Sequence, residues 1–236
     1  MCGRYQLKMT WDTLSRLYRI VPSPEPEGPS LPLFNIAPTQ AVPVLRWEGE
    51  RELVKMRWGF PATWLARTGK DPWSRPLGNA RAEDALTKAT WKKALLGRRC
   101  VVPATGIYEW IRQGKVRLPV RLWQPSEAPM HLAAVWERFS RDGAPVDAVS
   151  ILTTAASPDM APIHDRMPVL IADEALDQWL SPSLSAEALA STLSAPPVGT
   201  LTRAPASRAV NRWQSQGPDL EQADWNPVLE GLADRF

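Results

Sequence analysis

Four runs of sequence between residues 99 and 156 are typical of β-strands: RCVVPATGIYEW (99–110), VRLPVRLW (116–123), HLAAVWERF (131–139) and DAVSILTTAA (147–156). Each run is rich in β-branched, aromatic and other apolar residues, which pack well on the pleated surface of a sheet. Glycine, proline, serine or aspartate separates one run from the next, and these residues favour turns. The region therefore predicts a mainly antiparallel sheet of consecutive strands.

The sequence before these runs adds a hairpin and a capped helix. The stretch AVPVLRWEGERELVKMRWGF (41–60) alternates in polarity on both sides of Glu48-Gly49-Glu50, which predicts two strands joined by a turn. Thr10 precedes the amphipathic segment WDTLSRLYRI (11–20). We therefore expect a short helix there, with Thr10 as its N-cap.

Three further helices are expected. Good helix formers run from about Ala82 to Gly97, and a glycine is suited to the position just after a helix. The segments DEALDQWLS (173–181) and SAEALASTLS (185–194) predict two short helices late in the chain. The predicted fold class is therefore α+β, with mainly antiparallel β-sheets and peripheral helices.

Length and composition indicate one globular domain. A chain of 236 residues can bury a substantial core, and an apolar content of 44% is too high for a disordered protein. The segment Pro22–Pro32 is rich in proline and predicts a surface loop. We expect a single domain over residues 1–236, with a loosely packed tail from about residue 215, where Asp, Glu and Pro are frequent.

The sequence also bears on location and cofactors. No apolar run approaches the length of a membrane span, and no signal peptide is apparent, so we expect a cytoplasmic protein, associated with the nucleoid if bacterial. Cys2 and Cys100 are expected to be free thiols. With His131 and His164 they lack the close spacings of metal ligands, so no metal or other cofactor is expected. A net charge of +3 permits an anionic partner without requiring one.

Several short blocks set polar residues among apolar and aromatic ones. They are MCGRY (1–5), FNIAPTQ (34–40), the WGF…W arrangement (58–64), GNARAED (78–84), GIYEW (106–110) and IHDRMPV (163–169). Their order and separation resemble the SRAP family, the SOS response-associated peptidases, which shield abasic sites in single-stranded DNA through a covalent crosslink. The resemblance extends to about Asn211 and implies the family's barrel-like fold. Asp84 and Ile107 depart from the family's usual residues, but neither is expected to react.

The resemblance implies a catalytic group of Cys2, Asn79, Glu109 and His164. Removal of Met1 would give Cys2 a free α-amine beside its thiol, and such a pair closes an aldehyde into a five-membered thiazolidine ring. A histidine titrates near neutral pH, so His164 would donate the proton that opens the hemiacetal of an abasic deoxyribose. Glu109 would carry protons during ring closure. Asn79, with one donor and one acceptor group, would position the amine or a sugar hydroxyl.

A DNA-binding surface is implied as well. Binding of single-stranded DNA requires a basic groove with aromatic side chains on which the bases stack. The residues expected to contribute are Arg4, Asn35, Trp58, Trp64, Arg81, Trp110, Thr153 and Arg166, and Trp73 is a further stacking candidate. The expected partner is single-stranded DNA containing abasic sites, bound by a monomer without membrane contact. The basic run on the second helix is expected to be a solvated face.

The sequence thus predicts an SRAP-type enzyme that senses and shields abasic sites by a thiazolidine crosslink through Cys2, with lyase or thiol autopeptidase activity as further expectations. Two alternatives stay open. A cysteine peptidase would use Cys2 activated by His164 and would turn over peptides without any aldehyde. A non-covalent single-strand binder would show salt-dependent affinity that survives the loss of Cys2.

Overall fold

The computed structural model describes residues 2–184 and 186–236 of the chain. In these ranges the β-strands are β1 Tyr5–Leu7, β2 Leu33–Ile36, β3 Ala41–Trp47, β4 Arg51–Trp58, β5 Asn79–Arg81, β6 Arg99–Ala104, β7 Gly106–Gln113, β8 Val116–Trp123, β9 Met130–Arg141, β10 Ala144–Ala155, β11 Arg166–Pro168, β12 Leu170–Ile171 and β13 Thr202–Pro205. The α-helices are α1 Trp11–Leu17, α2 Ala82–Ala85, α3 Ala89–Gly97, α4 Leu176–Leu180 and α5 Ala186–Thr192. None of these described helices exceeds nine residues, and none could cross a membrane.

Strands β3, β4, β6, β9 and β10 close into a barrel. β3 pairs antiparallel with both β4 and β6, β6 pairs with β9, and β9 pairs with β10 from Ala144 to Ile151. A short parallel pairing of Val149 with Trp58 joins β10 back to β4 and completes the circle. Each of these strands therefore has a neighbour on both sides, which removes exposed sheet edges. The predicted fold class, α+β with mainly antiparallel, barrel-like sheets, is confirmed.

A second antiparallel sheet carries the N-terminal strand. Its strand order is β13-β8-β7-β1-β2. The chain passes from β6 of the barrel into β7 of this sheet through the buried residue Thr105, whose backbone N–H donates to the carbonyl of Gln6 in β1 at 2.8 Å. β1 therefore lies against both the barrel and the hairpin formed by β7 and β8.

The last residues of β10 leave β9 and pair with two short strands. β5 runs parallel to β10, with Arg81 opposite Thr153. β11 runs antiparallel to β10, with Arg166 opposite Ala155. Residues from three distant segments of the chain therefore meet at one end of the barrel.

The predicted hairpin and first helix are confirmed. The turn between β3 and β4 contains Gly49 at a φ of +86°, a backbone conformation that glycine adopts without strain. Thr10 caps α1, because its hydroxyl oxygen accepts from the backbone N–H of Thr13 at 3.2 Å. Trp11 and Leu14 of this helix are buried in the main hydrophobic core. The segment Pro22–Pro32 contains no helix or strand, in agreement with the predicted loop.

The second predicted helix is divided in two. Helix α2 ends at Ala85, and Lys88 is extended (φ −76°, ψ 130°) as the N-cap of α3. The carbonyl of Asp84 accepts from the backbone N–H groups of both Thr87 and Lys88, which closes a tight turn at the break. The helix-forming composition could not reveal this turn, but the predicted end of the helix at Gly97 is confirmed, because α3 ends there. The late helices are observed as α4 and α5, and Ser185 of the second prediction lies outside the described residues.

The C-terminal tail packs against the second sheet. Leu220 and Trp225 are buried, and the carboxylate of Glu221 pairs with Lys8 at 2.9 Å and accepts from the side chain of Gln6 at 2.8 Å. At these positions the tail packs more closely than its polar composition indicated, because a few spaced apolar side chains are enough to bury it. A single domain over residues 1–236 stays a prediction.

Candidate active site

The pairing of β1 with β7 brings Cys2 close to Glu109. The backbone N–H of Tyr108 donates to the carbonyl of Arg4 at 2.9 Å, which continues the antiparallel pairing beyond the end of β1. The side chain of Cys2 is fully buried, and that of Glu109 is 4% exposed. Two residues that are 107 positions apart therefore share one buried environment.

Cys2 is a protonated thiol in this environment. Burial raises the pKa of the Cys2 thiol to about 12, and the negative charge of nearby Glu109 adds to the rise. A hydrogen bond from the backbone of Arg4 acts in the opposite direction but does not outweigh burial. The reactive form in thiol proteases is the thiolate, so this setting does not favour a cysteine that attacks peptide carbonyls directly.

Asn79 contacts Cys2 from the barrel side. Its side-chain amide donates to the carbonyl of Cys2 at 2.8 Å. The side-chain oxygen of Asn79 is buried and has no hydrogen-bond partner among the described residues. An unsatisfied buried acceptor is unfavourable by about 1–3 kcal/mol, so a ligand that offers a donor here gains affinity. Trp58 supports this position, because its indole N–H donates to the carbonyl of the preceding residue, Gly78, at 2.8 Å.

A pocket of about 500 Å³ opens beside these residues. Its lining consists of Gly3, Arg4, Glu109, Trp110, Arg112, Arg117, Ile163, His164 and Asp165. A larger groove of about 1030 Å³ lies elsewhere and is lined by none of the predicted site residues. The smaller pocket is the candidate site, because its lining joins the N-terminal segment with Glu109 and His164.

One hydrogen bond indicates which nitrogen of the neutral His164 ring carries the proton. Nδ1 accepts from the backbone N–H of Arg166 at 2.9 Å, so in the neutral tautomer inferred from this bond the proton lies on Nε2. A carboxylate oxygen of Asp165 also lies 2.9 Å from Nδ1, a contact that is attractive once the ring is protonated. The half-buried ring thus has one neighbour suited to each protonation state.

Arg166 and Thr153 form one unit with Glu83. The guanidinium of Arg166 donates to both carboxylate oxygens of Glu83, at 2.8 and 2.9 Å, and also to the backbone carbonyl of Thr153. These bonds hold the pKa of Glu83 below its usual value. Arg81, on the neighbouring strand, is exposed. Thr153 is fully buried, so its contribution here is to position Arg166.

Asn35 positions Arg4 from inside the protein. The guanidinium of Arg4 donates to the side-chain oxygen of Asn35 and to the carbonyl of Val210, each at 2.8 Å. Asn35 is fully buried, and its amide donates to the carbonyls of Arg212 and Ser215. The sequence interpretation of Asn35 as a DNA contact does not fit this burial, whereas a role in orienting Arg4 does.

The predicted stacking tryptophans differ in exposure. Trp58 is fully buried and Trp73 is 8% exposed, so neither presents a ring face to a base. Trp64 is 47% exposed in a 3₁₀-helix over Thr63–Thr68. Trp110 is half-buried at the pocket, and its indole N–H donates to the side-chain oxygen of Asn211 at 2.8 Å. Trp64 and Trp110 are the predicted tryptophans that remain available for stacking.

The sequence prediction did not assign a role to Arg112, Arg117 or Asn211. Arg112 and Arg117 line it from the β7–β8 hairpin, and Asn211 bonds both to Trp110 and to the carbonyl of Arg117. Alternation along β7 places Arg112 on the same face as Trp110, a signal that was present in the sequence. The contribution of Asn211 depends on a long-range contact and had no local signal.

The comparisons with known proteins identify one family. Residues 1–213 match the sequence model of the family described as SOS response associated peptidase (SRAP). The abasic site processing protein YoqW of Bacillus subtilis is 35% identical over 185 residues, which cover 77% of this chain and 81% of YoqW. The abasic site processing protein YedK of Escherichia coli is 30% identical over 233 residues, with 94% of this chain and 99% of YedK covered.

A solved structure supports the fold. A protein from Bacteroides thetaiotaomicron superposes with a TM-score of 0.80 at 20% identity and covers 95% of this chain and 100% of its own. At that identity the likeness concerns the fold alone. Because the family match extends from residue 1 through residue 213, it includes both sheets and the pocket. The chain belongs to the SOS response associated peptidase (SRAP) family.

Proposed function

We propose that this chain processes abasic sites in single-stranded DNA by capturing their aldehyde in a thiazolidine ring formed by Cys2 after Met1 is removed. The observation that carries the proposal is a series of contacts: Asn79 bonds to Cys2, the charge of nearby Glu109 acts on Cys2, and Glu109 lines one pocket with His164. The names of YoqW and YedK, abasic site processing proteins, support the same substrate class.

The α-amine of a processed Cys2 would attack first. An α-amino group titrates near ~8, whereas a lysine side chain titrates at about 10.4, so a substantial fraction is unprotonated at neutral pH. The imidazolium form of His164 would donate its Nε2 proton to the ring oxygen of the abasic sugar. The bond from C1′ to the ring oxygen would break, and the C1′ hydroxyl would lose its proton to water, which leaves the aldehyde. Addition of the amine followed by loss of one water gives an imine at C1′ of the sugar.

The thiol of Cys2 would then close the ring. Its sulfur adds to the imine carbon, its proton passes to Glu109, and the imine nitrogen is protonated in turn, so the net change from the aldehyde is the loss of one water. Because Cys2 is held as a protonated thiol, a neighbouring base is required at this step. The step is intramolecular, and well-oriented intramolecular reactions reach effective molarities of roughly 10⁵–10⁸ M.

The DNA strand would lie across the arginines at this end of the molecule. Arg4 at the pocket and exposed Arg81 would contact phosphates directly. Arg166 would contact a phosphate in exchange for its bonds to Glu83, and Trp110 and Trp64 would stack on bases. Binding as a monomer, lyase activity at the captured site and thiol-dependent removal of Met1 remain parts of this proposal. A general cysteine peptidase has less support, because burial keeps the thiol protonated.

The test is to incubate the Met1-processed protein with a single-stranded oligonucleotide that contains one abasic site. We expect a covalent adduct on a denaturing gel, with an intact mass one water below the sum of the two parts. The Cys2→Ala variant should bind the strand reversibly and form no stable adduct, and an oligonucleotide without the abasic site should form none. Equal crosslinking by Cys2→Ala, or no adduct from folded, processed protein, would contradict the proposal.

A further inference from the structure

Two arginines face each other across the β7–β8 hairpin. Arg112 of β7 lies directly opposite Arg117 of β8 in the antiparallel register. Directly opposite residues point to the same face of a sheet, so the two guanidinium groups share one surface. Both side chains are exposed, and both line the pocket that also contains Glu109 and His164.

This arrangement is unfavourable for the isolated hairpin. Like charges directly opposite in an antiparallel pair destabilise it. Asp165, which lines the same pocket, pairs with His164, and the ion pairs of the described residues include neither Arg112 nor Arg117. Within the described part of the chain, no ion pair therefore offsets the positive charge of these two guanidinium groups.

The charged surface continues through Trp110 to Arg4. The guanidinium carbon of Arg117 lies 4.8 Å from the centroid of the Trp110 ring, and that of Arg4 lies 5.8 Å from it. Burial lowers the pKa of Arg4, and repulsion from Arg117 adds to this effect. Two arginines thus flank one aromatic ring, and their guanidinium groups are close enough to repel each other.

We propose that Arg112 and Arg117 form a second phosphate-binding subsite, which holds a backbone phosphate of the single strand next to the abasic nucleotide. A guanidinium matches two phosphate oxygens with its planar fork, and a phosphate between two such groups would replace their repulsion by attraction. The inference rests on the proposed function, because that function makes single-stranded DNA the ligand of the pocket. Trp110 would stack on a base beside the bound phosphate.

The experiment measures reversible binding of a fluorescein-labelled single-stranded oligonucleotide without an abasic site, by fluorescence anisotropy at several salt concentrations. For the double variant Arg112→Gln/Arg117→Gln we expect affinity about tenfold lower at low salt. The slope of log K against log salt should become shallower by about 0.7, because the two arginines together hold one phosphate. An unchanged slope would overturn the proposal.

A matched control removes the same charge elsewhere. Lys92 and Lys93 are exposed on α3 and are absent from the pocket lining. The variant Lys92→Gln/Lys93→Gln should retain affinity within about twofold, and an equal loss in both double variants would contradict a local subsite. Thermal unfolding confirms that the variants are folded. A wild-type protein that binds this strand but forms no adduct with an abasic strand would contradict the proposed function and leave the subsite measurement valid.

Discussion

Two clusters in this protein share one geometry and differ in charge compensation. In each, two guanidinium groups lie over a single indole: the Trp110 cluster contains Trp110, Arg4 and Arg117, and the Trp136 cluster contains Trp136, Arg46 and Arg98. In the Trp136 cluster the guanidinium carbons lie 4.6 and 5.3 Å from the ring centroid. Cation–π contacts alone therefore do not distinguish the two regions.

The Trp136 cluster is neutralised by acidic side chains. Arg46 pairs with Glu52 at 2.8 Å, and Arg98 pairs with Glu137. Trp136 itself is 5% exposed. With each guanidinium paired with a carboxylate and the ring covered, this cluster stabilises the barrel and offers little attraction to an anion.

The Trp110 cluster uses neutral acceptors instead. Arg4 donates to the amide oxygen of Asn35 and to the carbonyl of Val210, and both of these acceptors are uncharged. A neutral acceptor fixes the direction of a guanidinium without cancelling its charge. The difference teaches that a neutral partner leaves an arginine–tryptophan cluster with charge that can attract an anion, whereas a carboxylate partner offsets that charge.

The largest effect is expected from giving the Trp110 cluster the carboxylate that it lacks. In the Arg112→Glu variant the new side chain would lie opposite Arg117 as an ion pair. Single-strand affinity should fall more than tenfold, because one positive charge is lost and a second is neutralised. The free energy of unfolding should rise by roughly 0.2–1 kcal/mol as the like-charge pair disappears. Anisotropy and thermal unfolding measure the two changes, and Lys115→Glu at the hairpin tip is the matched control. Equal losses of affinity in both variants would show that position does not matter.

A smaller effect is expected from removing a carboxylate at the Trp136 cluster. Glu52→Gln should lower the free energy of unfolding by about 1 kcal/mol, since Arg46 is mostly buried but keeps Asp147 at 3.7 Å and Glu52 is partly solvated. For a chain of this size that corresponds to a fall in Tm of about 2–4 °C. Single-strand affinity should change less than twofold, and a loss as large as that of Arg112→Glu would mean that the two clusters do not differ in function.

The smallest effect concerns pH. Hydrogen bonds from Arg138 are the main cause that lowers the pKa of Asp147, and the charges of Arg46 and Arg98 add to it. A carboxyl whose pKa is lowered by folding stabilises the protein above its unfolded pKa of about 3.9, and this stability is lost as pH falls through the lower folded value.

Urea unfolding of the wild type and the Asp147→Asn variant measures this contribution. The difference in the free energy of unfolding should be about 0.5–1 kcal/mol at pH 7 and should shrink as the pH falls below 4. A difference that stays constant between pH 7 and pH 3 would show that the charge of Asp147 does not stabilise this cluster.

Local patterns predicted the strands but not their arrangement. Alternation in the segment 41–60 and the cap at Thr10 depend on neighbouring residues, so the sequence was sufficient for β3, β4 and α1. The parallel pairing of Val149 with Trp58 closes the barrel between segments 91 residues apart, and no local pattern encodes it. The helix break at Lys88 was also missed, because helix-forming composition outweighed the signal of one turn.

In the candidate site, too, the sequence predicted some features, and only the tertiary structure revealed others. The resemblance brought together Cys2, Asn79, Glu109 and His164, whose proximity the structure supports. It could not separate exposed Trp64 from buried Trp58, since both occur in similar aromatic surroundings and only tertiary packing decides which ring is covered.

The hydrogen bonding of β10 determines how long the proposed DNA-binding geometry persists. The same strand is bonded to β9 and β4 within the barrel and to β5 and β11 beyond it, where Arg81 and Arg166 are attached. A local opening that changed the separation of these arginines would have to break hydrogen bonds of the central strand β10. Such openings are among the rarest fluctuations of a native protein. The separation of Arg81 and Arg166 should therefore persist for as long as the protein stays folded.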